Sequence, residues 1–410
     1  MNYQLTAPEG KYRTIVDLPA SKSISNRALI LNALSYSPYE VSNLSDCDDT
    51  ALMVKALNSD GRDFNVGAAG TTMRFMTAFL SKIVGEWTIT GTERMKNRPI
   101  KVLVDALNSL GARIEYMEKE GYPPLRIFGS ALQGGEVALP GNVSSQYISA
   151  ILMVAPLMEK GVTLRLEGDV VSKPYINITL QLMKQFGVET VWNGNVIRVR
   201  PQEYRPIRFT VESDWSAASY WYEMMALSPL GEIELLGLFK NSLQGDAAGA
   251  KLFEQLGVGT RFTNRGVQLY RNGNRCRKLT YNFVNEPDLA QTFVVTCALM
   301  EIPFRFTGLQ SLKIKETDRI EALKQELRKL GYLIQESHDS ILEWNGERCE
   351  PAAHPLIDTY EDHRMALAFA PAALVRKEGI GIAHPTVVSK SYPAYWKHLM
   401  AAGWHVKEEL

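Results

Sequence analysis

The sequence has few cysteines and no net charge. Four cysteines occur in 410 residues, Cys47, Cys276, Cys297 and Cys349, with no CxxC pair and no histidine at metal-ligand spacing. We therefore expect neither a zinc site nor a disulfide framework, and the pattern is typical of a reducing compartment. Lysine plus arginine and aspartate plus glutamate number 45 each, which predicts no general attraction to nucleic acid or to an anionic membrane surface.

Long hydrophobic runs are also missing. The longest apolar stretches, such as residues 148–158, are shorter than a membrane-spanning helix requires, and the opening MNYQLTAPEGKYR lacks the apolar segment of a secretory signal. We therefore expect a cytoplasmic protein with no membrane partner and no nucleic-acid partner. The chain is too long for one ordinary core, so two domains are expected.

What the sequence does contain is a repeated pattern. Six times a small polar or charged cluster leads into an apolar, helix-like run; the clusters start at Ser21, Ala68, Ser144, Ser213, Glu286 and Glu361. Runs that are apolar on most faces predict buried helices. Strand-like pieces and a second, more amphipathic helix follow each run; these second helices are predicted to begin near Asp46, Lys96, Lys173, Gln244, Lys315 and Ser389. Chance alternation of helix and strand is the weaker interpretation of six matched starts.

Six units divide as three plus three. The break is predicted just before the fourth unit, which gives one domain over 18–213 and a second over 1–17 and 214–410. The leading strand, residues 1–16, has no helix of its own in the first domain. We therefore expect it to pair with the C-terminal half, so that two strands of chain cross between the domains.

Cations concentrate at the predicted helix starts, where free N–H groups and the helix dipole are already positive. The stretch LPASKSISNRALIL places Lys22 and Arg27 among serines, and a bound anion or a solvated capping turn would explain it equally well. KETDR puts Lys315 and Arg319 four residues apart, on one predicted helix face. DHR puts Arg364 directly before a wholly apolar helix, where an unpaired cation would be costly. Of these, the DHR motif alone favours function.

Seven cations occupy comparable positions in the repeated units: Lys22, Arg27, Arg98, Lys315, Arg319, Arg364 and Lys390. If the helices direct their N-termini at one cleft, a neutral protein would contain a strongly cationic pocket. A cation about 4 Å from a phosphate or carboxylate contributes roughly 4 kcal/mol at an effective dielectric near 20, before desolvation. Such a pocket suits one or two small, highly charged anions.

Nine motifs appear in order along nearly the whole chain: LPASKSISNRALIL, GAAGTTMR, RMKNRP, SSQYISA, VSKPYI, PDLAQT, KETDRIEAL, DHRMAL and SKSYP. In these the sequence resembles the 5-enolpyruvylshikimate-3-phosphate synthase family of enolpyruvyl transferases. The resemblance implies an α/β fold of two similar domains around an interdomain cleft, each an inside-out α/β barrel of three βαβαββ units. It also implies transfer of the enolpyruvyl group of phosphoenolpyruvate to the 5-hydroxyl of shikimate 3-phosphate, through a tetrahedral intermediate that releases phosphate. This reaction leads to chorismate and the aromatic amino acids, and no metal or cofactor is expected.

The resemblance also assigns roles to residues. On the shikimate 3-phosphate side it places Lys22, Ser23, Arg27, Ser144, Ser145, Gln146, Ser172, Tyr175, Asp288 and Lys315. On the phosphoenolpyruvate side it places Lys22, Gly70, Arg98, Gln146, Arg319, His363, Arg364 and Lys390. Asp288 matches the base for the 5-hydroxyl, and Glu316, together with Lys22, matches the group that protonates the enol methylene. The first domain would hold shikimate 3-phosphate, and the second would hold phosphoenolpyruvate and carry the catalytic carboxylates.

The chain departs from the family's usual residues at four positions. Ala68 stands where asparagine is usual, Phe75 where proline is common, Ser311 where asparagine is frequent, and Trp215 where a small residue is frequent. Ala68 and Phe75 are expected to border the phosphoenolpyruvate pocket. The response to the herbicide glyphosate, which mimics that substrate in this family, is therefore not predicted.

Two alternative functions were weighed against this one. The related enzyme that acts on UDP-N-acetylglucosamine usually carries a reactive cysteine in a loop of its first domain, whereas this chain has none between Cys47 and Cys276. A non-catalytic anion-binding protein on the same scaffold would not need Asp288 and Glu316, and both are present. We expect a monomer whose partners are the two small-molecule substrates.

Overall fold

The computed structural model describes residues 1–228 and 231–409. In chain order the strands are β1 Asn2–Thr6, β2 Tyr12–Asp17, β3 Val41–Ser42, β4 Asp63–Asn65, β5 Gly85–Thr90, β6 Arg113–Tyr116, β7 Leu125–Gly129, β8 Gly135–Pro140, β9 Val162–Glu167, β10 Thr190–Asn193, β11 Val196–Val199, β12 Phe209–Thr210, β13 Gly231–Leu236, β14 Val258–Phe262, β15 Gly266–Arg271, β16 Leu279–Asn282, β17 Phe304–Thr307, β18 Gln335–Ser337, β19 Ile341–Trp344, β20 Leu356–Ile357, β21 Ile380–Ala383 and β22 His405–Glu409.

The α-helices are α1 Lys22–Leu34, α2 Asp48–Leu57, α3 Gly70–Lys82, α4 Glu93–Lys96, α5 Lys101–Ser109, α6 Ser145–Val154, α7 Lys173–Gln185, α8 Trp215–Leu227, α9 Ala248–Glu254, α10 Ala290–Leu299, α11 Arg319–Lys329, α12 His363–Phe369 and α13 Tyr395–Ala401. Short 3-10 helices span Ala155–Leu157, Gly245–Ala247, Pro287–Leu289, Gln310–Ile314, Ala370–Leu374 and Pro385–Lys390. None of the described helices is long and apolar enough to cross a lipid bilayer.

The chain divides into two compact units, which are described separately. One, the contiguous unit, is Ser21–Val211; the other, the split unit, combines Met1–Ala20 with Glu212–Leu410. The sequence-based breaks after residues 17 and 213 compare with breaks after residues 20 and 211 in the structure.

In the contiguous unit, helices lie inside and sheets lie outside. The helices α1, α3, α6 and α7 pack on one another, while the strands bury alternate residues against them. Two repeats follow the βαβαββ order and form the four-stranded sheets β4-β5-β7-β6 and β10-β11-β9-β8, each with its first strand parallel to its second. The first repeat is reduced to α1, α2 and β3, which pairs with β12, because the strand before α1 belongs to the other unit.

The split unit contains three four-stranded sheets: β20-β21-β1-β22, β14-β15-β13-β2 and β16-β17-β19-β18. Strand β1 lies between β21 and β22, antiparallel to both, and β2 runs parallel to β13. The predicted pairing of the leading residues with the C-terminal half is therefore confirmed, with two strands where the sequence indicated one.

The core of the split unit is built on the helices that follow the polar clusters. Every residue of α10 and every residue of α12 is buried, as the sequence predicted from runs that are apolar on most faces. Aromatic rings fill the space between helices, with Phe253 and Phe293 4.4 Å apart between ring centroids. Burying one such side chain contributes about 1.5–3 kcal/mol, so these helices are held mainly by packing.

Four of the predicted second helices, near Lys96, Gln244, Lys315 and Ser389, begin as α-helices four or more residues later than the sequence indicated. Lys96 ends α4, and α5 starts only at Lys101; Ser389 lies in a 3-10 helix, and α13 starts at Tyr395. Prolines at positions 99 and 393 explain both delays, because the residue before a proline disfavours helical geometry. The placement of Lys315 on one helix face with Arg319 is also wrong, because α11 begins only at Arg319.

Candidate active site

Four helices of the contiguous unit begin at predicted site residues. Lys22 and Gly70 are the first residues of α1 and α3, Ser144 caps α6, and Ser172 caps α7. The Ser144 hydroxyl accepts a hydrogen bond from the N–H of Gln146 (3.4 Å), as its sequence position predicted. The Gln146 amide donates to the Thr71 hydroxyl (3.0 Å), which joins the starts of α6 and α3.

Arg27 connects the starts of α1 and α7. Its side chain is buried, and each of its three nitrogens donates: Nε to the Thr179 hydroxyl (2.7 Å), Nη1 to the Ser23 carbonyl (2.8 Å), and Nη2 to the Ser149 hydroxyl (3.1 Å) and the Tyr175 carbonyl (3.2 Å). Burial lowers the pKa of Arg27 to about 10, so it is a cation at neutral pH. All four of these acceptors are uncharged, and the positive charge is therefore left for a ligand to neutralise.

Two guanidinium groups close around Gly70. A Cβ at this position would lie 2.6 Å from Arg74 Nη1 and 2.7 Å from Arg98 Nη1, so glycine is required for this approach. Arg74 also donates from Nη1 to the Gly70 carbonyl (2.8 Å). Arg74 has no predicted role, although its position one helical turn after Gly70 is a sequence signal for this contact.

In the split unit, Asp288 is surrounded by cations. It lies in the 3-10 helix Pro287–Leu289 at the start of α10, with its side chain 19% exposed. Its Oδ2 is 2.9 Å from Arg364 Nη2, and its Oδ1 is 3.3 Å from Arg319 Nη1 and 3.9 Å from Lys315 Nζ. The predicted base thus shares one cluster with three residues expected to bind substrate.

Arg319 is the centre of this cluster. Its Nε lies 2.6 Å from Asp362 Oδ2, and its Nη2 lies 3.0 Å from Glu316 Oε2. Burial alone would lower the pKa of Arg319, but Asp362, Glu316 and Asp288 together raise it. Asp362, which the sequence analysis did not place in the site, also caps α12 by accepting from the N–H of Arg364 (2.9 Å).

Two lysines complete the charged cluster. Lys390 Nζ lies 3.8 Å from Glu316 Oε1, and burial lowers the pKa of Lys315 while Asp288 opposes that shift. Lys315 lies outside α11, because Asp318 caps that helix by accepting from the N–H groups of two residues, Ile320 and Glu321 (3.1 Å each). Four cations (Lys315, Arg319, Arg364, Lys390) thus lie among three carboxylates (Asp288, Glu316, Asp362).

Two further residues border Arg364. His363 is the first residue of α12, with Nδ1 3.7 Å from Asp362 Oδ1. The buried Tyr220 hydroxyl accepts from Arg364 Nη1 (3.2 Å), a contact that no local sequence signal indicated. The described residues contain no group of three or more His, Cys, Asp or Glu side chains that could hold a metal ion.

The four departures from the family pattern lie in different surroundings. Phe75 is fully buried, and its ring centroid lies 5.3 Å from Arg27 Cζ. It therefore contacts a residue that is expected on the shikimate 3-phosphate side. Trp215 is buried among aromatic rings in the core. Its ring centroid lies 6.4 Å from that of Phe262 and 6.5 Å from that of Tyr222. Ala68 and Ser311 are half-buried, Ala68 just before the cap of α3.

The sequence was then compared with known proteins. A family model described as EPSP synthase (3-phosphoshikimate 1-carboxyvinyltransferase) matches residues 7–63 and 60–399. The chain belongs to the EPSP synthase family. A relative from Bacteroides fragilis (strain YCH46), named 3-phosphoshikimate 1-carboxyvinyltransferase, is 59% identical over 408 residues, 99% of each chain. One of the same name from Vibrio atlanticus (strain LGP32) is 40% identical over 421 residues, covering 94% of this chain and 95% of the other.

A solved structure agrees in fold with the EPSP synthase family assignment. The EPSP synthase from Acinetobacter baumannii superposes with a TM-score of 0.80 at 20% identity, covering 99% of this chain and 100% of that one. The predicted α/β fold class is therefore confirmed, with the first repeat shorter than the others.

Proposed function

We propose that this chain transfers the enolpyruvyl group of phosphoenolpyruvate to the 5-hydroxyl of shikimate 3-phosphate and releases phosphate. This is the reaction that its relatives' name, 3-phosphoshikimate 1-carboxyvinyltransferase, describes. The observation that supports it best is the charged cluster of the split unit. There Asp288 and Glu316 are each ion-paired to Arg319. Arg364 and Lys315 also lie within 4.0 Å of Asp288, and Lys390 lies 3.8 Å from Glu316.

In this proposal the contiguous unit binds shikimate 3-phosphate. The proposed binding residues in this unit are Lys22, Ser23, Arg27, Ser144, Ser145, Gln146, Ser172 and Tyr175. Asp288 and Lys315 are also proposed to bind this substrate. The uncompensated charge of Arg27 supports an anionic ligand there. A hydrogen bond to a charged group contributes about 1.5–3 kcal/mol, so one such contact changes affinity by a factor of ten or more.

The phosphoenolpyruvate set is Lys22, Gly70, Arg98, Gln146, Arg319, His363, Arg364 and Lys390. In the first step Asp288 takes the proton of the 5-hydroxyl while that oxygen bonds to C2 of phosphoenolpyruvate. Glu316, assisted by Lys22, gives a proton to the methylene carbon, which becomes a methyl group. The product is a tetrahedral intermediate that still carries its phosphate.

In the second step the C–O bond to phosphate breaks, and the methyl group returns a proton to the enzyme, which restores the enol. The cations stabilise the negative charge that gathers on the leaving phosphate. Proton transfer by a placed carboxylate contributes about 10²–10⁴-fold, and holding both substrates in a preorganised site accounts for more. No step requires a metal or organic cofactor. We keep a cytoplasmic monomer as the expected working form.

The experiment that tests the function measures phosphate release from phosphoenolpyruvate, with and without shikimate 3-phosphate. The purified chain is compared with Asp288→Ala and with Asp60→Ala, which removes an exposed carboxylate. We expect release that requires shikimate 3-phosphate, collapses in Asp288→Ala and is unchanged in Asp60→Ala. Release that survives in Asp288→Ala would move the base elsewhere, with Glu316 next. Turnover with UDP-N-acetylglucosamine in place of shikimate 3-phosphate would overturn the substrate assignment.

A further inference from the structure

A buried acidic residue outside the expected site lies close to the charged cluster. Asp246 belongs to the 3-10 helix Gly245–Ala247, which packs against the start of α8. Its carboxyl group is 5% exposed, and its Oδ2 accepts a hydrogen bond from the Ser216 hydroxyl. Its Oδ1 is buried and has no hydrogen-bond partner among the described residues. Among the described residues, the Ser216 hydroxyl is therefore the one hydrogen-bond partner of the Asp246 carboxyl group.

Charged and titratable groups face Asp246 from several elements. Asp288 at the start of α10, Asp214 at the cap of α8 and Arg364 at the start of α12 all interact with it electrostatically, as does Tyr281 on β16. Burial, and next the charge of Asp288, raise the pKa of Asp246 to about 7, while the Ser216 hydroxyl and Arg364 oppose that rise. The 3-10 helix that carries Asp246 and the 3-10 helix that carries Asp288 both pack against α8, so the two residues lie on neighbouring elements. Their carboxyl groups therefore interact as a pair.

The cations around Asp288 are a difficulty for the proposed mechanism, because they make this carboxylate a weaker base. A general base must accept a proton, yet Arg364, Arg319 and Lys315 all favour the carboxylate form of Asp288. A nearby negative charge has the opposite effect, because two carboxylates that are close together resist being ionised at the same time.

We propose that Asp246 is a positioning residue that acts through Asp288: its buried carboxylate offsets the surrounding cations and so keeps Asp288 basic enough to take the 5-hydroxyl proton. Asp246 touches no substrate in this scheme. The inference rests on the proposed function, since it assigns Asp246 a role in that reaction alone.

The test is the dependence of kcat on pH, with both substrates saturating, between pH 5.5 and 9. In the unaltered chain, kcat should fall as the pH drops through about 7, because Asp246 then gains a proton and Asp288 becomes a weaker base. Asp246→Asn keeps the shape and removes the charge. We expect its kcat to be about 3- to 10-fold lower at pH 8.5 and within about two-fold of the unaltered chain at pH 5.5, with the inflection near 7 lost.

A second variant has a different signature. Ser216→Ala removes the hydrogen bond that stabilises the Asp246 carboxylate, so the inflection should move upward by about half a pH unit to one unit. The matched control is Glu223→Gln, which alters another buried carboxyl group on α8 outside this cluster and should leave the inflection in place. An inflection caused by ionisation of a substrate would be common to all variants.

Each outcome decides between the alternatives. Loss of the inflection in Asp246→Asn, with the upward shift in Ser216→Ala, supports the inference. An unchanged profile in Asp246→Asn, or the same loss in Glu223→Gln, overturns it. If Asp246→Asn does not fold, Ser216→Ala decides alone, and an unshifted profile counts against the inference. An unaltered chain that releases no phosphate at any pH would mean that the proposed function itself has failed.

Discussion

Two buried arginines, one in each unit, are held in opposite ways. Arg27 donates its hydrogen bonds to hydroxyl and carbonyl oxygens, whereas Arg319 is paired with the carboxylates of Asp362, Glu316 and Asp288. Each is almost fully removed from solvent. The charge of Arg27 therefore remains for a ligand to neutralise. The charge of Arg319 is largely neutralised by the acidic side chains that it holds in place. One arrangement favours binding, and the other favours a fixed geometry for proton transfer.

The largest expected effect comes from breaking the carboxylate-paired arrangement. Arg319→Met leaves three buried or half-buried carboxylates without their common partner, which costs about 3–5 kcal/mol of unfolding free energy. We expect the melting temperature to fall by roughly 10 °C, measured by circular dichroism. Arg265→Met, which removes an exposed arginine 3.6 Å from Glu234, should change it by less than about 2 °C. An equal change in the melting temperature of both variants would contradict the expectation that the ion pairs of Arg319 stabilise the fold more than an exposed ion pair does.

Arg27→Met should weaken substrate binding while it leaves the stability of the fold almost unchanged. The Thr179 hydroxyl still donates to Ser149 (2.7 Å) or to the Tyr175 carbonyl (3.3 Å), so the freed groups keep partners and the unfolding free energy should change by less than about 1 kcal/mol. The KM for shikimate 3-phosphate should rise by about 10- to 150-fold, because a charge-assisted hydrogen bond to the substrate is lost. Steady-state kinetics and thermal unfolding of the same preparation check both halves. A large loss of stability with normal KM would contradict the expectation.

Gly70→Ala tests the close approach of two cations in the contiguous unit. The new methyl group displaces the ends of Arg74 and Arg98, which are flexible enough to move without unfolding the chain. We expect the KM for phosphoenolpyruvate to rise about 10-fold or more through misplacement of a guanidinium group, while the melting temperature stays within about 2 °C. Gly61→Ala, in an exposed loop, is the control and should leave the KM unchanged.

The smallest effect concerns the buried carboxyl group of Glu223 on α8. Neither oxygen of Glu223 has a hydrogen-bond partner among the described residues; burial raises its pKa well above the usual range, and the nearby Thr296 hydroxyl offsets only part of that rise. The folded chain thus holds a proton that the unfolded chain loses above about pH 4, so this residue's contribution to stability falls as the pH rises. Glu223→Gln should raise the melting temperature by about 2–4 °C at pH 8 and not at pH 4. Glu159→Gln, at an exposed position, should have no effect at either pH.

The sequence could predict the features that are local. Apolar runs behind polar clusters located the starts of α1, α3, α6 and α8 to within two residues, because capping and burial of a helix depend on neighbouring residues. The predicted helix start near Lys315 was wrong, because Asp318 caps α11 and was not recognised as the capping residue.

Local sequence patterns could not predict the ion pairs of the site. Asp288, Arg319 and Arg364 are far apart in sequence, and their pairing depends on how α10, α11 and α12 pack. Family resemblance supplied the identities of these residues but neither the distances nor the roles of Asp362 and Tyr220 in holding them. Asp246 had no signal at all, because its neighbours form a cluster only in three dimensions.

The pairing of β1 with β21 and β22 has a consequence for how the chain is made. A ribosome releases β1 and β2 before the contiguous unit, yet the partners of β1 are synthesised only after that unit. The contiguous unit, by contrast, can complete all its strand pairs as soon as residue 211 has emerged. The unit that begins first in the sequence therefore finishes last. Nascent chains stalled between residues 211 and 231 should carry one folded unit preceded by two unpaired strands, and β1 stays unpaired until β21 has emerged.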